Sequence, residues 1–115
     1  MGLDREEAMA CVGPGWSELI DRFYGHIEDN LHIYKDVSVD QVKEKFGTLR
    51  IYFSGGDDWL NGVEWALGWW SGTVCEECGE QGKVNTFRGW YRTQCQKHWD
   101  GDVPYDFAGG EGSLS

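Results

Sequence analysis

Cys75-Glu76-Glu77-Cys78 is followed, sixteen residues later, by Cys95-Gln96-Lys97-His98. Two tight turns brought together by a short hairpin place three sulfurs and one imidazole around a single ion, and that ligand set is the one tetrahedral Zn2+ takes. Gly79, directly after the second cysteine, lets the backbone curl so that amide N–H groups point at the thiolates and share their charge. Four protein ligands close the coordination sphere, so the expected zinc is structural; a catalytic zinc keeps one position open for water. Two disulfides are the competing reading of these cysteines. That pairing leaves His98 without a role, and cysteines two residues apart rarely reach cystine geometry. Cys11 is left over, has no histidine partner identifiable in the sequence, and reads as a small buried or loop thiol.

The elements that must position these ligands are short. Between the two knuckles, residues 83–87 and 90–94 read as strands joined at Arg88-Gly89, which makes a ribbon with Trp90 or Trp99 expected over the site. Upstream, Thr48 to Ser54 alternates, with Leu49, Ile51 and Phe53 on one face and Arg50 and Tyr52 on the other, and is the clearest strand of the chain. Segment 38–47 fits either a helix opened by Ser38 and Gln41 or a strand leading into a hairpin, and the strand is favoured. Trp16, Leu19, Ile20, Phe23, Tyr24, Ile27 and Leu31 recur at helical steps after Gly13-Pro14-Gly15 and predict an amphipathic helix over about 15–31. Asp58 is placed to cap a second helix in which Trp59, Leu60, Val63, Ala66, Leu67 and Trp70 share helical spacing, ended by Gly72. The expected fold is α+β. Residues 1–72 form two helices with a small antiparallel sheet behind a loose N-terminal lead-in, 73–99 a Cys3His zinc-ribbon-like module packed on that core, and 100–115 an acidic Gly-rich tail that Tyr105 and Phe107 could anchor.

A chain of 115 residues makes one small domain. A metal contributes folding free energy of order 10 kcal/mol in zinc-finger-like modules, enough to order a segment without a core of its own. No stretch is apolar for long enough to span a bilayer, and the opening Met-Gly-Leu-Asp-Arg lacks a secretory pattern, so an intracellular, reducing environment is expected. The net charge of −10 disfavours general binding to a phosphate backbone. It is unevenly spread: Lys35, Lys43, Lys45 and Arg50 concentrate bases in 35–50, whereas 1–31 and the tail are acidic. Such an acidic surface serves solubility, or docks a basic partner, including a groove that normally holds nucleic acid.

Cys11-Val-Gly-Pro-Gly-Trp16, Gln41 to Tyr52 with its Lys-Phe-Gly-Thr-Leu-Arg core, Cys75-x2-Cys78-Gly79 with Gly82, and Trp90-x-Arg92-Thr93-x-Cys95-x2-His98 occur in this order. The combination resembles a group of small, largely uncharacterised zinc-binding proteins of tailed bacteriophages and prophages, over about residues 11–98. The resemblance implies a viral accessory protein working in the cytoplasm of an infected bacterial cell, and it brings no established activity.

Three function classes follow. The first is a non-enzymatic, zinc-stabilised interaction protein that binds, and inhibits, a host or anti-phage defence protein. Its candidate contacts are Trp65 and Trp69, four residues apart and off the face set by Leu60, Val63 and Leu67, with Lys43, Lys45 and Arg50 around the Phe-Gly turn. The alternatives are a helix buried all round and a merely solvated basic face. The second class is a nucleic-acid-binding or transcription-associated zinc ribbon, with Arg88, Trp90 and Arg92, aided by Lys83, Tyr91 and Lys97, on a single strand. The third, an enzyme using His26 or His32, is disfavoured: the two lie six apart and do not converge, and no phosphate loop or nucleophile elbow is present.

Overall fold

The computed structural model, in which residues 2–101 and 105 are described, is α+β and rests on two separate two-stranded antiparallel sheets. The first pairs β1 (Ser38–Lys45) with β2 (Thr48–Ser54), and the second pairs β3 (Lys83–Phe87) with β4 (Trp90–Gln94). Around the first sheet lie α1 (Arg5–Met9), α2 (Ser17–Asp29), α3 (Leu31–Tyr34) and α4 (Asp58–Ser71). The strand reading of 38–47 therefore holds, and so do both strands of the ribbon.

Both hairpins close through two-residue turns in which each residue is left-handed: Phe46 and Gly47 at φ 56° and 84°, Arg88 and Gly89 at φ 53° and 85°. That geometry matches the twist of the strands it joins, and its first position usually carries Asn, Asp or Gly. Here a Phe and an Arg occupy it.

One face of the first hairpin is apolar. Val39, Val42, Leu49 and Ile51 are buried against Trp16, Leu19, Ile20 and Phe23 of the α2 region and Leu60 and Leu67 of α4, with Ala8 and Tyr34 closing the cluster. A two-stranded sheet leaves both edges open, and both are covered here. Along β2, the Ser71 hydroxyl and the Glu64 carboxylate of α4 accept from the Leu49 and Ile51 N–H groups at 2.8 and 3.1 Å. Along β1, the Leu3 N–H donates to the Val39 carbonyl at 2.8 Å.

Several boundaries differ from the sequence expectation. The N-terminal lead-in is not loose. Asp4 and Glu7 form a capping box for α1, Arg5 pairs with Asp21 and Glu28, and the Tyr24 hydroxyl donates to the Leu3 carbonyl at 2.8 Å. A five-residue helix is too short to show periodicity, but its cap was readable. The helix expected over 15–31 opens with a 3-10 turn at Pro14–Trp16 and ends at Asp29. Asn30 leaves helical geometry at ψ 38°, and Leu31 begins α3, 57% exposed rather than in the core stripe. The α4 cap is Asp57, whose carboxylate accepts from the Leu60 N–H at 2.9 Å and from the Tyr34 hydroxyl at 2.9 Å; Asp58 is the first helical residue. Gly72 ends the helix as expected.

Candidate metal centre

The second hairpin has almost no apolar interior. Among the described residues from 73 onward, the buried side chains are Cys75, Asn85, Thr93, Gln94 and Cys95. The Asn85 amide donates to Gln94, whose carbonyl also accepts from the Asp100 N–H at 3.3 Å, so the strand pair closes on amides and sulfur. A segment of this size cannot hold itself together by burial of that kind.

Cys75, Cys78, Cys95 and His98 gather at one end of the ribbon, with their ligand atoms all within 4.8 Å of one another. Cys95 Sγ is 3.3 Å and Cys75 Sγ 3.5 Å from His98 Nδ1, and Cys78 Sγ is 3.6 Å from Cys95 Sγ. All four cysteines are free, so the disulfide reading fails; Cys11 lies apart and exposed, its thiol on the Glu7 carbonyl at 3.2 Å. The four cluster atoms are close enough to hold one metal ion.

The electrostatics favour an incoming cation. Burial opposes ionisation of Cys95, yet its thiol is held at about 6, because the His98 backbone N–H and the Cys78, His98 and Cys75 side chains direct hydrogen bonds to the thiolate. At Cys78 the Glu80 N–H favours the thiolate, but desolvation and the Cys95 and Cys75 thiols push it up. A thiolate is therefore favoured at Cys95 and disfavoured at Cys78. The Glu80 N–H is the kind of donor expected from the glycine after Cys78: Gly79 sits at φ 85°, a conformation that disfavours any side chain.

The first knuckle docks onto the start of the core, and sequence reasoning did not foresee it. The Gly15 N–H donates to the Glu76 carbonyl at 2.6 Å, the Gly13 N–H to the Glu76 carboxylate at 3.0 Å, and the Trp16 indole N–H to the Val74 carbonyl at 2.8 Å. A Cβ on Gly15 would collide with the Cys75 carbonyl oxygen, so the backbones of turn and knuckle touch directly. Desolvation at this contact raises the Glu76 carboxyl above its usual range, against the pull of the Gly13 N–H. The signal is the Gly-Pro-Gly-Trp motif, whose turn also opens the helix that follows. Trp16 is thus shared, its ring in the core and its N–H on the metal module.

Trp90 does not pack over the metal site. It lies beside the Arg88-Gly89 turn, at the opposite end of the ribbon from the ligands, and is 73% exposed. Trp99 follows His98 and packs edge-on against Tyr105 at 4.9 Å, and Lys83 Nζ lies 5.0 Å from the same Tyr105 ring, so Tyr105 does anchor the segment after the second knuckle. Phe107 and most of the expected acidic tail lie outside the described residues.

Two surfaces complete the picture. On α4, Trp65 and Trp69 lie on the face away from Leu60 and Leu67, 68% and 74% exposed with their rings 6.2 Å apart, and Trp59 at the start of the helix is 70% exposed. A helix buried all round is excluded. Trp70, less exposed, lies under the Arg22 guanidinium at 5.1 Å. Lys43 and Arg50 are cross-strand partners on the outer side of the first hairpin, and Lys45 is beside them. Arg88 and Arg92 both stack on Phe87, at 5.3 and 5.5 Å, and Arg92 also pairs with Asp100 at 3.1 Å. His26 and His32 are not brought together: His26 packs in the fold 5.6 Å from Tyr34, and His32 is exposed. No helix among the described residues is long and apolar enough to cross a membrane. Comparison with family models, curated proteins and solved structures returns no match.

Proposed function

We propose that this chain is a non-enzymatic accessory protein of a tailed bacteriophage or prophage, held by one structural zinc ion, that binds and inhibits a host or anti-phage defence protein in the cytoplasm of the infected cell. The zinc assignment is supported by distances. Zinc bonds of about 2.3 Å to sulfur and about 2.0 Å to nitrogen imply tetrahedral edges of roughly 3.8 Å between sulfurs and roughly 3.5 Å from sulfur to nitrogen. Three of the six ligand pairs, the 3.6 Å sulfur pair and the 3.3 and 3.5 Å sulfur–nitrogen pairs, lie within about 0.2 Å of those edges, and the other three lie within 4.8 Å. Three thiolates and one imidazole leave no open position, so the metal's role is to fold residues 75–98.

The observation that carries the interaction reading is the exposed pair Trp65 and Trp69, four residues apart on α4. Large indole rings left in water along one helix face are costly for solubility and are the residues that dominate the energy of protein contacts. The net charge of −10 adds electrostatic preference for a basic partner surface.

The test compares the zinc-loaded wild type with the Trp65→Ala/Trp69→Ala variant as baits in nuclease-treated bacterial lysate. A protein captured in stoichiometric amount by the wild type and lost from the variant, with metal content equal in both, is the expected result. Capture that does not differ between the two baits refutes the α4 surface as the docking site.

A further inference from the structure

The outer face of the β1–β2 hairpin is cationic in an acidic protein. Cross-strand register places Gln41 opposite Tyr52, Lys43 opposite Arg50 and Lys45 opposite Thr48 on this side, while Val42, Ile51 and Leu49 point to the core. The row of bases contains no carboxylate. Glu44 lies on the core side and its carboxylate accepts from the Gly47 N–H at 2.7 Å; Asp40 lies at the bulge near the far end, bound to the Ser54 hydroxyl at 2.6 Å. The ion pairs among the described residues hold Arg5, Arg22 and Arg92, and none holds Lys43, Lys45 or Arg50. With twenty acidic residues to ten basic ones, leaving three neighbouring bases unpaired is the reverse of what surface charge balance would produce. Lys43 directly opposite Arg50 is also a repulsive pair, which a bound anion would relieve.

Aromatic rings are interleaved with these bases. Lys43 Nζ lies 5.4 Å from the Tyr52 ring and Lys45 Nζ 5.8 Å from the Phe46 ring. Phe46 is 62% exposed at the left-handed first position of its turn, held there by the Glu44 bond to Gly47 and by the Thr93 hydroxyl on the Gly47 carbonyl. Non-glycine residues held in the left-handed region cluster at active sites and ligand clamps. The second hairpin extends the platform, because Tyr91 meets Phe46 edge-on at 5.9 Å.

We propose that this face, formed by Lys43, Lys45, Arg50, Tyr52, Phe46 and Tyr91, binds a single-stranded nucleic acid, with the bases of the protein on phosphates and the rings under nucleobases. Positive charge alone would suit any polyanion; rings alternating with cations suit one whose own π faces are uncovered, and a duplex hides those faces within its stack. The overall charge of −10 lowers non-specific affinity but does not cancel a segregated patch, because screening confines charge effects to about 10 Å at ordinary salt. This surface is separate from the α4 tryptophans and does not depend on the protein-partner reading.

The test is fluorescence anisotropy of the zinc-loaded full chain with a fluorescein-labelled oligothymidine and with its oligouridine counterpart, over a range of salt. Three phosphate contacts predict a log–log salt slope of about −2, and each of Lys43→Gln and Arg50→Gln should flatten it by about 0.7 and weaken binding about tenfold. Tyr52→Leu should weaken binding about fivefold with the slope unchanged. Metal content and thermal midpoint of each variant separate these effects from misfolding, and Trp65→Ala/Trp69→Ala should bind as the wild type does. Absence of binding at low salt, a duplex bound as tightly as the single strand, or affinity indifferent to both base substitutions overturns the proposal. Displacement by poly-glutamate as effective as by unlabelled oligonucleotide also overturns it and reassigns the face to an acidic protein.

Discussion

The four ligand residues were legible because metal chemistry is local: Cys-x2-Cys and Cys-x2-His each fix a knuckle whatever surrounds it. The consequence at this scale is that Cys78→Ser or Cys95→Ser should lose the metal and disorder 75–98, read as metal per chain by mass spectrometry and as loss of protease protection. Retention of one metal with unchanged stability would refute the ligand assignment. In the folded ribbon the Cys95 thiol is held at about 6. Its folded value lies below the ordinary value of 9.0, so its contribution to stability is complete above pH 9 and is lost as pH falls through about 6. Gly15 could be identified as a turn residue, but its close approach to Cys75 required the fold. Gly15→Ala should cost about 1–3 kcal/mol or more in denaturant titrations, because two backbones must separate to admit the methyl.

Elements were readable in proportion to their periodicity. The β2 strand and α4 announced themselves by alternation and by helical spacing, whereas α1 spans only Arg5–Met9 and is held by tertiary bonds. Tyr24 is one of these ties. Burial first, and then the nearby Asp4 charge, push its phenol up to about 12. A raised value favours the neutral form in the fold, so this stabilisation is complete below pH 10 and is lost as pH rises through about 12. Tyr24→Phe should remove that part of the alkaline loss of stability, measurable by urea titration over the same range. Ser71 illustrates an element contact that sequence gives no hint of, since a serine near a helix end is ordinarily solvated. It satisfies the buried Leu49 N–H, and Ser71→Ala should cost about 1–3 kcal/mol.

At the scale of the whole molecule, one half has a hydrophobic cluster, and the other has buried polar groups and a Cys3His cluster close enough to bind a metal ion. A chelator should therefore unfold the ribbon first, seen as loss of amide-exchange protection over 73–99 while the α2 and β2 amides stay protected; simultaneous loss everywhere would mean that the Gly15–Glu76 contact makes a single cooperative unit. The exposed tryptophans contribute little to this balance. Trp65→Ala/Trp69→Ala should change stability by no more than about 0.5 kcal/mol per site, the usual range for surface positions.

The sequence by itself determined the Cys3His set, the β2 strand, the ribbon hairpin and the apolar face of α4, because each rests on residues close in the chain; over 38–47 it left a helix open beside the favoured strand. Tertiary structure alone decided the rest. It turned Trp59, Trp65 and Trp69 outward, since an indole at helical spacing is equally compatible with core or water until the neighbouring layers are placed. It also set Phe46 beside Tyr91, forty-five residues away in sequence, and seated the Gly-Pro-Gly turn on the first knuckle. Such approaches depend on how separate elements pack, and no local pattern of side chains encodes the distance between them.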